Sequence, residues 1–203
     1  MTALILYFSG TGNTKYVAGQ LENALIMRGI TVEAHSLEEH FNPAECDYDL
    51  LIIGSPKYYE NPVLSVLKYL RLNLPHRETV IPTLAFCTQA GPLPTDYSGL
   101  GKILKSKNHQ LTVAKSFPIA NNMMIFKTFH VTEPETVKEN RAKIKAQLEP
   151  LLDTFLSGGE QVETVKNWES TAYHGVAVAC TKLMPRCGGP SVAVRTRQNI
   201  LLL

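Results

Sequence analysis

The chain has 203 residues, 44% hydrophobic and 19% charged, with 20 Lys+Arg against 18 Asp+Glu for a formal net charge of +2. That balance suits one packed globular core and excludes both a charge-rich disordered chain and a strongly basic nucleic-acid binder. No apolar run approaches the roughly 18 residues of a membrane span, and the cysteines (Cys46, Cys87, Cys180, Cys187) form no C-x-x-C pair, which supports neither a disulfide framework nor a four-cysteine metal site.

Residues 4–8, Leu-Ile-Leu-Tyr-Phe, are a continuous apolar run, the pattern of a strand buried on both faces of a parallel sheet. The chain enters this run almost at once, which leaves no room for a leader peptide and sets the expectation of a cytoplasmic protein. Over 15–28, Val17, Leu21, Ala24 and Leu25 recur at helical spacing. Between strand and helix stands Ser9-Gly10-Thr11-Gly12-Asn13-Thr14. A turn that delivers the chain to a helix N-terminus presents unpaired backbone N–H groups and the positive end of the helix dipole, which favour an anion by about 0.3 to 1 kcal/mol per charge. The residue types narrow the anion. A triphosphate loop needs Gly-Lys before Ser/Thr, and a dinucleotide loop needs G-x-G-x-x-G. Neither is present. The hydroxyls of Ser9, Thr11 and Thr14 and the amide of Asn13, set around Gly10 and Gly12, suit a dianionic monophosphate held by neutral donors.

Further along, 31–36 reads as a short strand, followed by a polar loop through Asn42-Pro43. Strands are expected at 49–54, 80–87 and 111–115, and helices at 63–72, 97–107 and 134–156. The last of these carries Val137, Ile144, Leu148, Leu151, Leu152 and Phe155 on its apolar side. This alternation argues for βαβ units and a parallel sheet. Ligands of such open sheets lie outside the carboxyl ends of the strands, where strand order reverses, so the loops after the first, third and fourth predicted strands should converge. The second of these loops, Ser55-Pro56-Lys57-Tyr58-Tyr59-Glu60-Asn61-Pro62, contains two adjacent aromatics that a surface loop does not need for folding. The third, from Thr88-Gln89-Ala90-Gly91 to Tyr97, is rich in glycine, proline and hydrogen-bonding groups.

On these residues the chain resembles the flavodoxin family. Ser9-Gly10-Thr11-Gly12-Asn13-Thr14 looks like the loop that holds the phosphate of FMN. The 55–62 loop is similar to the one in which a Trp or Tyr covers a face of the isoalloxazine ring, and the 88–97 loop is similar to the third flavin loop. The resemblance covers residues 1–157 and implies a doubly wound five-stranded parallel sheet, order 2-1-3-4-5, in three α/β/α layers; 158–203 is then a C-terminal extension. It implies noncovalent FMN held by Ser9, Gly10, Thr11, Gly12, Asn13 and Thr14, by Ser55, Pro56, Lys57, Tyr58, Tyr59 and Asn61, and by Thr88, Gln89, Gly91 and Tyr97. Tyr58 is the first choice for ring stacking, Tyr59 the second, and Tyr97 is assigned to the opposite face. The implied activity is electron transfer with redox protein partners, without a side-chain catalyst, because the flavin does the chemistry. Two other readings stand beside it: an FMN-dependent NAD(P)H:quinone reductase whose 118–134 loop, with His130, forms a substrate site, and a partner-binding module without redox turnover. No metal site is expected, the histidines being scattered.

Two departures from the family pattern carry consequences. Glu60 stands where many flavodoxins place a glycine whose peptide turns over beside the ring on reduction. A residue other than glycine pays more for a positive φ, which bears on the choice between one- and two-electron chemistry. Soluble carriers of the family are also usually strongly acidic, whereas the net charge here is +2. The first domain further resembles the flavodoxin half of flavodoxin–ferredoxin fusions. Cys180 and Cys187 do not supply the C-x-x-C-x-x-C-x-x-x-C-P run of an iron–sulfur cluster, so none is expected. A helix over 168–184 and an extended arm from 188 onward are expected, the arm docking on its own domain, on a second copy in a homodimer, or on a membrane protein.

Overall fold

The computed structural model describes residues 1–39, 41–91, 93–121 and 131–165. Strand β1 (Thr2–Tyr7) leads into helix α1 (Asn13–Ile26), then β2 (Thr31–Ser36), a 3-10 turn at Pro43–Glu45, β3 (Leu50–Tyr58), β4 (Asn61–Pro62) and α2 (Leu64–Asn73). There follow β5 (Ile81–Gln89), α3 (Ser98–Lys105), β6 (His109–Pro118), α4 (Pro134–Leu156) and β7 (Gln161–Val162). Strands β2-β1-β3-β5-β6-β7 lie side by side in that order and all run parallel, while β4 turns back antiparallel on the end of β3. With the two-residue strands β4 and β7 set aside, the order is the doubly wound 2-1-3-4-5. β7 comes from beyond residue 157, so the sheet takes up two residues that lie outside the expected domain boundary.

Both faces of the sheet are covered, which explains why its central strands read as unbroken apolar runs. Alternate residues of β1 serve opposite cores. Ala3 and Ile5 pack with Leu21 and Leu25 of α1 and with Ile144, Leu148 and Leu152 of α4. Leu4 and Leu6 pack with Val66 and Leu70 of α2 and with Leu100 and Leu104 of α3. The result is three layers with the sheet in the middle. Gly54 of β3 lies between Tyr7 of β1 and Phe86 of β5, and a Cβ there would fall 2.4 Å from Phe86 Cζ. The absence of a side chain lets the Phe86 ring pack under the carboxyl end of the sheet.

Three strands run longer than the apolar signal predicts. β3 continues past Gly54 as far as Tyr58, with Ser55 and Pro56 paired to Cys87 and Thr88 of β5, so much of the expected second loop is strand. β5 reaches Gln89, and β6 spans His109–Pro118 instead of 111–115. Pairing with buried neighbours holds polar residues in extended geometry that their own composition does not signal.

Candidate functional site

The first loop opens α1 at Gly12, a residue with no side chain to cap the helix. Gly12 sits at φ 89°, in the left-handed region that glycine enters without steric cost, and its carbonyl accepts the N–H of Tyr16 at 3.0 Å. Ser9 Oγ accepts from Lys15 N at 3.0 Å and so holds the loop against the helix. A Cβ on Gly10 or Gly12 would meet no atom within 4 Å, so the space beside the loop is open. Asn13 and Thr14 are buried at the first turn of the helix. Thr14 Oγ1 shares a 2.9 Å hydrogen bond with Thr88 Oγ1, which ties the first loop to the third.

The second loop is a tight hairpin. Tyr58 pairs with Asn61, leaving Tyr59 and Glu60 as the two turn residues, at φ 49° and 62°. A turn with two left-handed residues normally takes Asn-Gly, and each non-glycine residue there costs about 1 to 2 kcal/mol. Polar contacts hold the turn in place. Lys57 Nζ meets Glu60 Oε2 at 2.5 Å, with only 8% and 18% of the two side chains exposed, and also donates to Leu93 O at 2.8 Å. The N–H of Asp96 donates to Glu60 O at 2.7 Å, so the second and third loops are joined twice. Asn61 Nδ2 donates to Tyr59 O at 2.8 Å. The outcome is that Tyr58 and Tyr59 stand 50% and 54% exposed. Ser55 is spent on the scaffold: its Oγ donates to Pro56 O and accepts from Val63 N, fixing the entry to α2.

In the third loop, Gln89 Nε2 donates to Leu93 O at 2.8 Å, and Gln89 Oε1 accepts from Thr95 Oγ1 at 3.5 Å. Gly91 has open space beside it. Tyr97 is corrected by the structure. It lies in the core beneath the loop, 3% exposed, with its hydroxyl donating to Lys115 O at 2.8 Å, so it does not face the space beside Tyr58. The alternation rule had no purchase on it, because Tyr97 precedes a helix whose amphipathic face recruits it inward. Burial pushes the neighbouring Cys87 thiol up to about 12, which leaves it protonated and inert at neutral pH.

All three loops therefore meet outside the carboxyl ends of β1, β3 and β5, joined by Thr14–Thr88, Lys57–Leu93 and Asp96–Glu60. The donor set suits a phosphate monoester: a left-handed glycine opening a helix N-terminus, uncharged hydroxyl and amide groups, and room beside Gly10 and Gly12. A fourth element joins them from far along the chain. Arg141 of α4 donates from Nη2 to Asn13 Oδ1 at 3.3 Å. Sequence reasoning missed it, since one arginine in a charged helix carries no local signal.

A cleft of about 950 Å³ runs along α3 and β6 from the end of the third loop, lined by Asp96, Tyr97, Ser98, Lys105, Gln110 and Glu163 among others. A smaller one of about 340 Å³ flanks the first loop between Ser9, Lys15 and Glu38. Among the described residues no group of three or more His, Cys, Asp or Glu could hold a metal ion, and no helix is long and apolar enough to cross a membrane. His130 and most of the 118–134 loop lie outside the described residues, as do Cys180, Cys187, the 168–184 segment and the C-terminal arm.

Against solved structures, the chain aligns over 70% of its length with 98% of the Megasphaera elsdenii flavodoxin in its two-electron reduced state, at 20% identity and a TM-score of 0.51. The fold is flavodoxin-like. A flavodoxin from the domain Archaea aligns over 75% of this chain and 99% of its own, at 15% identity and a TM-score of 0.47. Rubredoxin oxygen:oxidoreductase from Desulfovibrio gigas aligns over 74% of this chain and 37% of its own, at 15% identity and a TM-score of 0.42. No family model matches the sequence, and no curated protein matches it. Within the flavodoxin-like fold, the three loops described above stand at the topological switch point, where the order reverses between β1 and β3.

Proposed function

We propose that this protein binds FMN noncovalently at the three converging loops and carries electrons between redox proteins. The observation that carries the reading is the meeting of a helix N-terminus that opens at a left-handed glycine with an exposed tyrosine hairpin, both outside the carboxyl edge of one parallel sheet. Bound FMN would supply the redox chemistry, and the loops would hold it and set its potential. The backbone N–H groups at the start of α1, with Ser9, Thr11 and Asn13, would take the phosphate. Thr14, already bonded to Thr88, would brace the first loop against the third. Tyr58, with Tyr59 beside it, would cover the ring, and the backbone from Thr88 to Gly91 would meet its polar edge. Lys57 and Glu60 would hold the tyrosine hairpin in its left-handed turn and against Leu93.

The test is a titration of the purified protein with FMN and with riboflavin, followed by anaerobic reduction with and without NAD(P)H. FMN bound more tightly than riboflavin, and reduced only through a partner reductase, is the expected result. Direct reduction by NAD(P)H with turnover of a quinone would replace the carrier by a reductase, and no flavin binding would overturn the reading. Tyr58→Ala, at an exposed position, should leave stability within about 0.5 kcal/mol while relieving the quenching of flavin fluorescence. Unchanged quenching would remove Tyr58 from the site.

A further inference from the structure

Arg141 stands in an unusual electrostatic position. Its Nη2 donates to Asn13 Oδ1 at 3.3 Å, its Cζ lies 4.7 Å from the centroid of the Tyr16 ring, and Tyr16 Oη donates to Arg141 O at 3.5 Å. The guanidinium is thus clamped against the first turn of α1. Among the described residues it forms no ion pair with a carboxylate, and its Nε is buried without a hydrogen-bond partner. A cation at the positive end of a helix dipole is unfavourable by itself, and a buried N–H without an acceptor adds to the cost. The arrangement becomes favourable when an anion occupies the adjoining loop.

Asn13 supplies the link. A guanidinium only donates hydrogen bonds, so the carboxamide oxygen must be the atom that faces Arg141, and both Nδ2 hydrogens are turned away from it. With Oδ1 held toward Arg141, the Asn13 carboxamide offers its Nδ2 donors on the other side at the start of α1, near the open space beside Gly10 and Gly12. We propose that Arg141 is a positioning residue of the first loop: it fixes the Asn13 carboxamide as a donor and adds positive charge there, so that the loop selects a dianionic phosphate ester over a neutral ligand. This rests on the FMN reading above and gives its anion selectivity a source 128 positions from the motif.

The experiment measures dissociation constants for FMN and riboflavin in the wild-type protein, Arg141→Leu, Arg141→Lys, Asn13→Ala and the Asn13→Ala/Arg141→Leu double variant. Arg141→Leu should lower the preference for FMN over riboflavin about tenfold, the loss of one charge-assisted hydrogen bond, with riboflavin affinity held within about twofold. Arg141→Lys keeps the charge but loses the planar fork that reaches Asn13 while lying on Tyr16, and should fall between. In the Asn13→Ala background Arg141→Leu should cost much less, because the residue acts largely through that carboxamide. If Arg141→Leu fails to fold, the Arg141→Lys ratio alone decides. Equal losses for both ligands, or an undiminished effect in the Asn13→Ala background, would overturn the positioning role while leaving FMN binding intact. A wild-type protein without preference for FMN would overturn the FMN reading and this proposal together.

Discussion

The two ends of the same sheet solve the same problem in opposite ways. At the amino end, buried polar groups answer one another, with Arg77 Nε the exception. His109 Nδ1 donates to Lys107 O at 2.9 Å, Tyr48 Oη donates to His109 Nε2 at 3.0 Å, and the Arg77 guanidinium covers the Tyr48 ring at 4.3 Å while Nη2 donates to Cys46 O. The left-handed non-glycine residue there is Asn108, at φ 60°, a type that tolerates the conformation and whose Nδ2 donates to Arg77 O and Glu78 O. At the carboxyl end the left-handed non-glycine residues are Tyr59 and Glu60, types that do not favour it, and there is open space beside Gly10 and Gly12 of the first loop. The strained non-glycine turn thus lies at the carboxyl end beside the candidate loops, while the amino end holds its left-handed Asn108 by that residue's own side-chain bonds; a buried N–H without a partner occurs at both ends, at Arg77 Nε and at Arg141 Nε.

The largest effect expected at the amino end is on pH dependence. Burial lowers the His109 pKa from 6.5 to about 4. In the unfolded chain the ring gains its proton as pH falls through about 6.5, whereas in the fold it stays neutral until about 4. Its contribution is therefore complete above pH 6.5 and is lost as pH falls toward 4, by about 3 kcal/mol. Urea midpoints at pH 7, 5.5 and 4.5 should fall steeply in the wild-type protein and less steeply in His109→Gln. Parallel curves would mean that other groups set the acid limb. Next in size, Gly54→Ala should cost about 2 kcal/mol by driving a methyl group into Phe86. Phe86→Leu added to it should recover part of the loss, and a stability equal to wild type would show that Phe86 has room to move.

The smallest effect tests the contrast between the ends most directly. Tyr59→Gly should stabilise the protein by about 0.5 kcal/mol, because relief of a left-handed tyrosine outweighs the added freedom of glycine in the unfolded chain. Asn108→Gly should destabilise, since it removes both side-chain bonds of a residue already content with its φ. Paired denaturant midpoints of the two variants decide it. Shifts of the same sign would erase the distinction between a strained and a relaxed end.

Much of the fold is legible because burial on both faces writes itself into the chain. The 31–36 strand and the 134–156 helix have the ends that their residues predict, set by turn formers and by Pro134 at the first helical position. The ends of β3, β5 and β6 are not legible, since Ser55 and Pro56 become strand only by pairing with Cys87 and Thr88, and Gln89 by pairing with Pro118. At the candidate site the loops themselves could be named, because glycine and hydroxyl clusters are local signals. The roles of single residues within them could not. Tyr97 and Tyr58 look alike in sequence, yet one is core and the other surface, and only the packing of α3 separates them.

The sequence by itself determined the alternation of strands and helices, the glycine- and hydroxyl-rich turn at Ser9 to Thr14 and the aromatic pair at 58 and 59, because each depends on neighbours within a few residues. Tertiary structure alone decided that Thr14 meets Thr88, that Lys57 locks Glu60 and reaches Leu93, and that Arg141 turns the Asn13 carboxamide. The first and last of these contacts join residues 74 and 128 positions apart, and Lys57 reaches Leu93 across 36. A hydrogen bond is specified by direction and distance in space, and the spacing of residues along the chain carries neither until the sheet has brought its loops together.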